Sequence, residues 1–445
     1  MMVTSGQTGP ADSTMSSTIF ISAGEASGEH YGALLVAALK ERLATSGARA
    51  SFIGMGGARM ATAGLKCIVR SEDMAVMGLT EVVLHLPRIW REFRKLKRAI
   101  RQEPPSVAVL IDFPEIHFRL AREFHRLGVP VIFFVSPQLW AWKKHRIRLV
   151  QKYVDRMLVI FPFEESYYRE RGVEAEFVGH PLAELPLPSI RREEFASQNG
   201  LDPSKTWIGL LPGSRPKEIR DHLPTILQAA RELVSFFGNS GDGNAGPSTP
   251  LHSAQDDKAT FEFLVPLAPT LNEAQRTEVR RLVAAHGAGL TLNLIDDLGA
   301  EGAVGRSGGA AGGARAVLLH ARASIVASGT ATVEAALIGN PFVVVYHVSA
   351  LTYAIAKRVV EVPHVAMANL IAGKRVVPEL IQSDFTAEKI VQQIAPLLPD
   401  GPPRQSMMDE LQRVRELLGR QSEGGAIDRV AEITMETLSL TDSKV

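Results

Sequence analysis

Val326-Ala-Ser-Gly-Thr-Ala-Thr-Val-Glu-Ala-Ala-Leu-Ile-Gly-Asn-Pro341 decides how this chain is read. An apolar strand, Ala323 to Ala327, runs into Ser328-Gly329-Thr330, and a helix of small residues follows directly. A strand feeding a helix through a tight glycine turn is the unit of a parallel, doubly covered sheet. The same turn aims unpaired amides and the positive end of a helix dipole at one point, which suits an anion such as a diphosphate. Glu334 stands one turn into the helix, within reach of a hydroxyl on whatever carries the phosphates.

A second loop of this kind, Leu211-Pro-Gly213-Ser214-Arg215, follows the apolar strand Trp207 to Leu211 and adds a guanidinium. Arg215 is the residue expected to stabilise charge on a departing nucleotide diphosphate without a magnesium ion. Its competing role is an ion pair with Glu218. Around these loops the β/α alternation is regular. In the first half, strands are expected at Ile19 to Ser22, Val107 to Ile111, Val131 to Val135, Met157 to Ile160 and Glu176 to Val178. The second half offers Trp207 to Leu211, Phe261 to Val265, Leu290 to Ile295, Ala323 to Ala327 and Phe342 to Tyr346.

With 445 residues the chain exceeds one ordinary core. The expected division is an N-terminal extension over 1–17, a first unit over 18–185, a second over 186–380, and helices over 381–445 that pack back on the first unit. Pro181 to Pro203, rich in proline and charge, reads as the connection. Gly/Ser/Ala-rich segments at 238–258 and 299–314 read as surface insertions. The first seventeen residues lack the apolar core of a signal peptide.

The net charge of +1 gives no reason to expect nucleic acid as a partner. The single cysteine, Cys67, excludes an intramolecular disulfide and a cysteine zinc cage, and fits a reducing, cytoplasmic setting. No apolar run is long enough to span a bilayer. The twelve histidines show no metal-ligand spacing, so neither a metal nor a cofactor is expected.

Two acidic motifs end strands of the first unit. In Gly24-Glu25-Ala-Ser-Gly28-Glu29 a carboxylate sits inside the turn, so the loop suits a sugar or an acceptor hydroxyl rather than a phosphate. Ile111-Asp112-Phe-Pro-Glu115 places Asp112 at the end of a buried strand, where partial desolvation favours a general base. Helix capping is the alternative for each. Between them, Arg88 to Arg101 is basic and amphipathic, with Ile89, Phe93, Leu96 and Ile100 at helical spacing. Trp90, Phe93, Arg94 and Lys97 are the expected contacts with an anionic membrane surface. The other reading is a core-facing stripe with solvated charges.

These residues together resemble the lipid-A-disaccharide synthase family, inverting glycosyltransferases of the GT-B architecture. The resemblance rests on Ser22-Ala-Gly-Glu-Ala-Ser-Gly28, Met55-Gly-Gly57, Met77-Gly78, Ile111-Asp112, Val135-Ser-Pro-Gln-Leu-Trp-Ala-Trp142, Phe177-Val-Gly-His-Pro181, Pro212-Gly-Ser-Arg215, Ser328-Gly-Thr-Ala-Thr332 and Asn369-Leu-Ile-Ala-Gly373. It implies two Rossmann-like domains facing a central cleft. It also implies transfer of 2,3-diacylglucosamine from UDP-2,3-diacylglucosamine to lipid X, at the cytoplasmic side of the inner membrane, by a metal-independent enzyme. Asp112, Glu25 and Arg215 are then the catalytic set, with the base either Asp112 or Glu25. Gly213, Ser214, Ser328, Gly329, Thr330, Glu334 and Asn369 are expected to bind the donor. Phe-Pro-Glu-Ile-His117 departs from the family's pattern, nearer Pro-Asp-Phe-Asn. The rivals are a UDP-sugar epimerase of the same fold and a non-catalytic lipid- or nucleotide-binding protein. A homodimer is an open option for the assembly.

Overall fold

A computed structural model of the chain describes residues 17–74, 79–239, 261–296, 313–349, 353, 362–419 and 424–442. The N-terminal extension up to residue 16, Met77-Gly78, and nearly all of the two Gly/Ser/Ala-rich segments lie outside these described residues.

Seven parallel strands form the first sheet: β1 (Ser17–Ala23), β2 (Ala50–Gly56), β3 (Lys66–Arg70), β4 (Val107–Ile111), β5 (Val131–Phe134), β6 (Arg156–Val159) and β7 (Ala175–Phe177). Their spatial order is β3-β2-β1-β4-β5-β6-β7. Six parallel strands form the second: β8 (Thr206–Leu211), β9 (Phe261–Pro266), β10 (Leu292–Ile295), β11 (Ala323–Ala327), β12 (Phe342–Tyr346) and β13 (Glu379–Ile381), in the order β10-β9-β8-β11-β12-β13. Helices cover both sheets, so the central strands are buried on both faces, and every residue of β4 and β11 is buried. This bears out the expected architecture of two parallel α/β units.

Each sheet reverses its winding once. In the first sheet the reversal falls between β1 and β4, paired through Ala23 and Ile111. In the second it falls between β8 and β11, paired through Leu211 and Val326. At such a reversal the connections leave in opposite directions and open a crevice at the carboxyl ends of the strands. All four loops singled out in the sequence leave these four strands.

The connection after β7 differs from a plain linker. It carries a helix, Arg192–Asn199, and the Arg192 guanidinium lies 3.6 Å over the Trp207 ring. The last helix, Ala426–Asp442, packs on the Ala26–Ser46 helix of the first unit. Arg429 fixes it there through both oxygens of Glu176 on β7, at 2.7 and 3.1 Å.

The basic helix Leu79–Gln102 divides its residues by face. Phe93, Leu96 and Ile100 are buried in the core of the first unit. Phe93 is therefore not a surface contact as expected: its position on the apolar stripe turns it inward. Lys97 is also committed, 2.9 Å from the buried carboxylate of Glu123. Trp90 and Arg94 remain exposed, with Arg94 5.4 Å over the indole, and Lys95 and Arg98 lie exposed beside them.

Candidate active site at the two sheet reversals

Glu25 follows β1 and sits at the N-terminus of the Ala26–Ser46 helix, its side chain exposed and capping nothing. Asp112 follows β4. Asp112 and Phe113 both take left-handed backbone conformations, with φ of 51° and 50°, a geometry that costs non-glycine residues on the order of 1 kcal/mol or more each. Phe113 occupies the capping position of the Pro114–Arg126 helix without a side-chain cap, so Asp112 is not a helix cap. A Cβ at Gly24 would collide with the Phe113 ring, which is why the turn before Glu25 is glycine. The two acidic loops thus pack on each other.

Burial, and after it the charge of Glu25, push the Asp112 carboxyl up to about 7; the Phe113 amide opposes the shift by donating to it. Glu115 differs sharply. It is exposed and accepts from Lys143 (2.8 Å) and Arg146 (2.7 Å), which hold it below the usual range despite partial burial.

In the second unit Gly329 precedes the helix Thr330–Ile338 with φ of 152°, and no side chain caps that helix. The space where a Cβ would stand at Gly329 is open. Ser328, Gly329 and Thr330 therefore present an uncovered helix start of the kind that accepts an anion. Gly213 and Ser214 lead to Arg215, whose guanidinium is exposed and lies 3.3 Å from Glu218. The loop is anchored from behind by the buried His222. Its Nδ1 donates to the Pro212 carbonyl (2.8 Å) and its Nε2 accepts from the His347 amide (3.0 Å).

Tyr31 links the two units. Its phenol is pushed up by burial, then by Glu334 of the second unit and by Asp112 of the first. Glu334 and Asp112, one from each unit, are thus both close enough for their charge to act on the buried Tyr31 phenol. His180 packs edge-on against Tyr31 with centroids 6.5 Å apart, and burial holds its imidazole down to about 3. It is a packed histidine.

Asn369 lies elsewhere in kind. It is fully buried, donates to Val377 O (2.9 Å) and Glu379 Oε1 (2.8 Å), and accepts from the amides of Val376 (2.7 Å) and Val377 (2.8 Å). Both ends of its amide are taken by the chain itself. Sequence reasoning missed Tyr31, His117 and His222, each a lone polar residue inside an apolar helix face. Among the described residues no group of three His, Cys, Asp or Glu side chains is placed to hold a metal ion, and no helix is long and apolar enough to cross a membrane.

With this geometry in view, comparison with known proteins is specific. Residues 19–240 and 310–431 match the family described as lipid-A-disaccharide synthetase. The lipid-A-disaccharide synthase of Acidobacterium capsulatum is 56% identical over 429 residues, covering 94% of this chain and 96% of the relative. Solved structures at low identity share the fold. A UDP-N-acetylglucosamine 2-epimerase of Listeria monocytogenes, described as putative, has a TM-score of 0.59 at 14% identity, covering 93% and 94% of the two chains. The calicheamicin glycosyltransferase has 0.53 at 17%, covering 96% and 99%.

Proposed function

The chain belongs to the lipid-A-disaccharide synthetase family, and from that membership we propose that it transfers 2,3-diacylglucosamine from UDP-2,3-diacylglucosamine to the 6-hydroxyl of lipid X. The products are the β-1,6-linked disaccharide 1-phosphate and UDP. What supports the reading is Asp112, a carboxyl whose pKa is raised to about 7 at the reversal of the first sheet, together with an uncapped helix start at the reversal of the second.

In this mechanism the acceptor oxygen attacks the anomeric carbon as the bond to UDP breaks on the opposite face, which inverts the centre. Asp112 takes the acceptor proton. A base with a pKa near the working pH is half ionised yet still basic enough to accept it. UDP leaves with the bonding pair, and its growing charge meets the amides at Gly329 and Thr330, the loop of Gly213 and Ser214, and Arg215. Arg215 is free to turn toward the diphosphate because an exposed pair such as the one with Glu218 holds it by only about 0.5 kcal/mol. Glu334 takes the ribose hydroxyls. Asn369 acts through the loop it pins, Val376 and Val377, rather than by direct contact.

Acyl substrates reside in a membrane, and the exposed face of Trp90, Arg94, Lys95 and Arg98 suits an anionic one. We place the enzyme on the cytoplasmic face of the inner membrane, peripherally bound through this face.

The test is incubation of purified protein with UDP-2,3-diacylglucosamine, with and without lipid X, in the presence and absence of EDTA. Disaccharide phosphate and UDP in equal amounts, dependent on lipid X and insensitive to EDTA, are expected. An epimerised nucleotide sugar without lipid X would overturn the reading in favour of an epimerase.

A further inference from the structure

One buried group beside Asp112 has no part in the chemistry above. His117 lies on the Pro114–Arg126 helix and is fully buried. Its Nδ1 is 2.5 Å from the backbone oxygen of Asp112, and its Nε2 is 2.8 Å from Ser22 Oγ. A carbonyl oxygen only accepts, so Nδ1 carries the proton and Nε2 the lone pair. The Ser22 hydroxyl must then be the donor to Nε2. Burial holds the imidazole down to about 4, so the ring is neutral at any pH near 7. Phe113 and Phe133 pack edge-on against it, with centroids 5.8 and 6.1 Å away.

The placement gives the ring its meaning. Ser22 is the penultimate residue of β1, three before Glu25, and Asp112 directly follows β4. The imidazole thus ties together the carboxyl ends of the two strands between which the sheet reverses. It grips the peptide of a residue held in the left-handed region, whose own carboxyl is bonded by the next amide. Such strain persists only where the surroundings fix it.

We infer that His117 is a positioning residue: through Nδ1–H, with its tautomer set by the Ser22 hydroxyl, it locks the Asp112 peptide and so aims the Asp112 carboxylate at the acceptor hydroxyl. The inference deepens the proposed function and rests on Asp112 being the base.

Four variants test it: His117→Leu, which removes both bonds; His117→Asn, which keeps a donor near Nδ1 but cannot reach Ser22; Ser22→Ala; and the Ser22→Ala/His117→Asn pair. Turnover is measured per molecule competent to bind UDP. Misplacing a reacting group by about 1 Å costs on the order of a hundredfold. His117→Leu is therefore expected to lose about that factor in kcat with both KM values unchanged, and His117→Asn to recover most of it. Ser22→Ala is expected to lower kcat in the parent and to have no effect in the His117→Asn background, since the bond it removes is already gone.

His117→Leu with parental kcat, or His117→Asn no better than His117→Leu, overturns the inference. If His117→Leu does not fold, the Ser22 and His117→Asn cycle decides, and additive effects on kcat count against it. Asp112→Asn is run in parallel. If that variant keeps turnover, the base assignment fails; if it is inactive while the His117 variants are fully active, only the positioning role fails.

Discussion

Glu25 and Asp112 follow the two strands between which the first sheet reverses, and the charge of Glu25 helps burial hold the Asp112 carboxyl up at about 7. A carboxylate so placed costs stability in exchange for basicity, and both consequences are measurable.

The stability effect has a definite sign. The folded chain holds the Asp112 proton up to about pH 7, whereas the unfolded chain releases it near the ordinary aspartate value of 3.8. Stability therefore falls as pH rises from roughly 4 to 7, and the full penalty is present above that window. Asp112→Asn removes the penalty. Its melting midpoint is expected to exceed the parent's by more at pH 8 than at pH 5; an equal gain at both would show that Asp112 is not a buried, late-ionising group.

Glu25→Gln removes the repulsion without filling the cleft. The acid limb of the kcat/KM profile is expected to move to lower pH, as Asp112 ionises more readily. An abolished turnover would make Glu25 the base instead, and an unmoved limb would separate the two carboxylates.

Arg215 and Asn369 are expected to fail differently. The Arg215 side chain is exposed and singly paired, so Arg215→Ala leaves the melting midpoint almost unchanged. It is expected to lower kcat about 100- to 1000-fold, the usual effect of removing one charge-stabilising donor. Asn369→Ala strands the Val376 and Val377 amides and is expected to cost about 1–3 kcal/mol of stability. Calorimetry alongside kinetics separates them; a stable, inactive Asn369→Ala would show direct contact with the donor.

The basic helix gives a paired test. Trp90→Ser with Arg94→Glu is expected to weaken sedimentation with anionic vesicles while leaving the fold intact, because both residues are exposed. Phe93→Ser is expected to unfold the first unit, since it places a hydroxyl in the core. Undiminished vesicle binding by the first variant would move the membrane contact elsewhere.

The sequence made the central strands legible because strands buried on both faces, such as β4 and β11, are continuous apolar runs. β2 was missed because Gly54 and Gly56 break its run. β3 is an edge strand bounded by Lys66 and Arg70, and β13 has only three residues. The loops at Glu25, Asp112, Arg215 and Gly329 were legible as motifs, but their common position at the sheet reversals depends on strand order, which local pattern does not encode. The left-handed backbone at Asp112 carries no glycine to announce it, and the latch at His117 joins residues 95 positions apart. Helical spacing puts Phe93 on one stripe with Leu96 and Ile100, but whether that stripe meets a membrane or the core is decided only by packing, which buries all three.

The most direct test of the central claim is the single-turnover rate of Asp112→Asn with both substrates bound, measured beside its affinity for UDP. Loss of about 100- to 10,000-fold in rate with parental UDP affinity is the result expected of a general base across the cleft from the diphosphate site. A rate within a few-fold of the parent would contradict it.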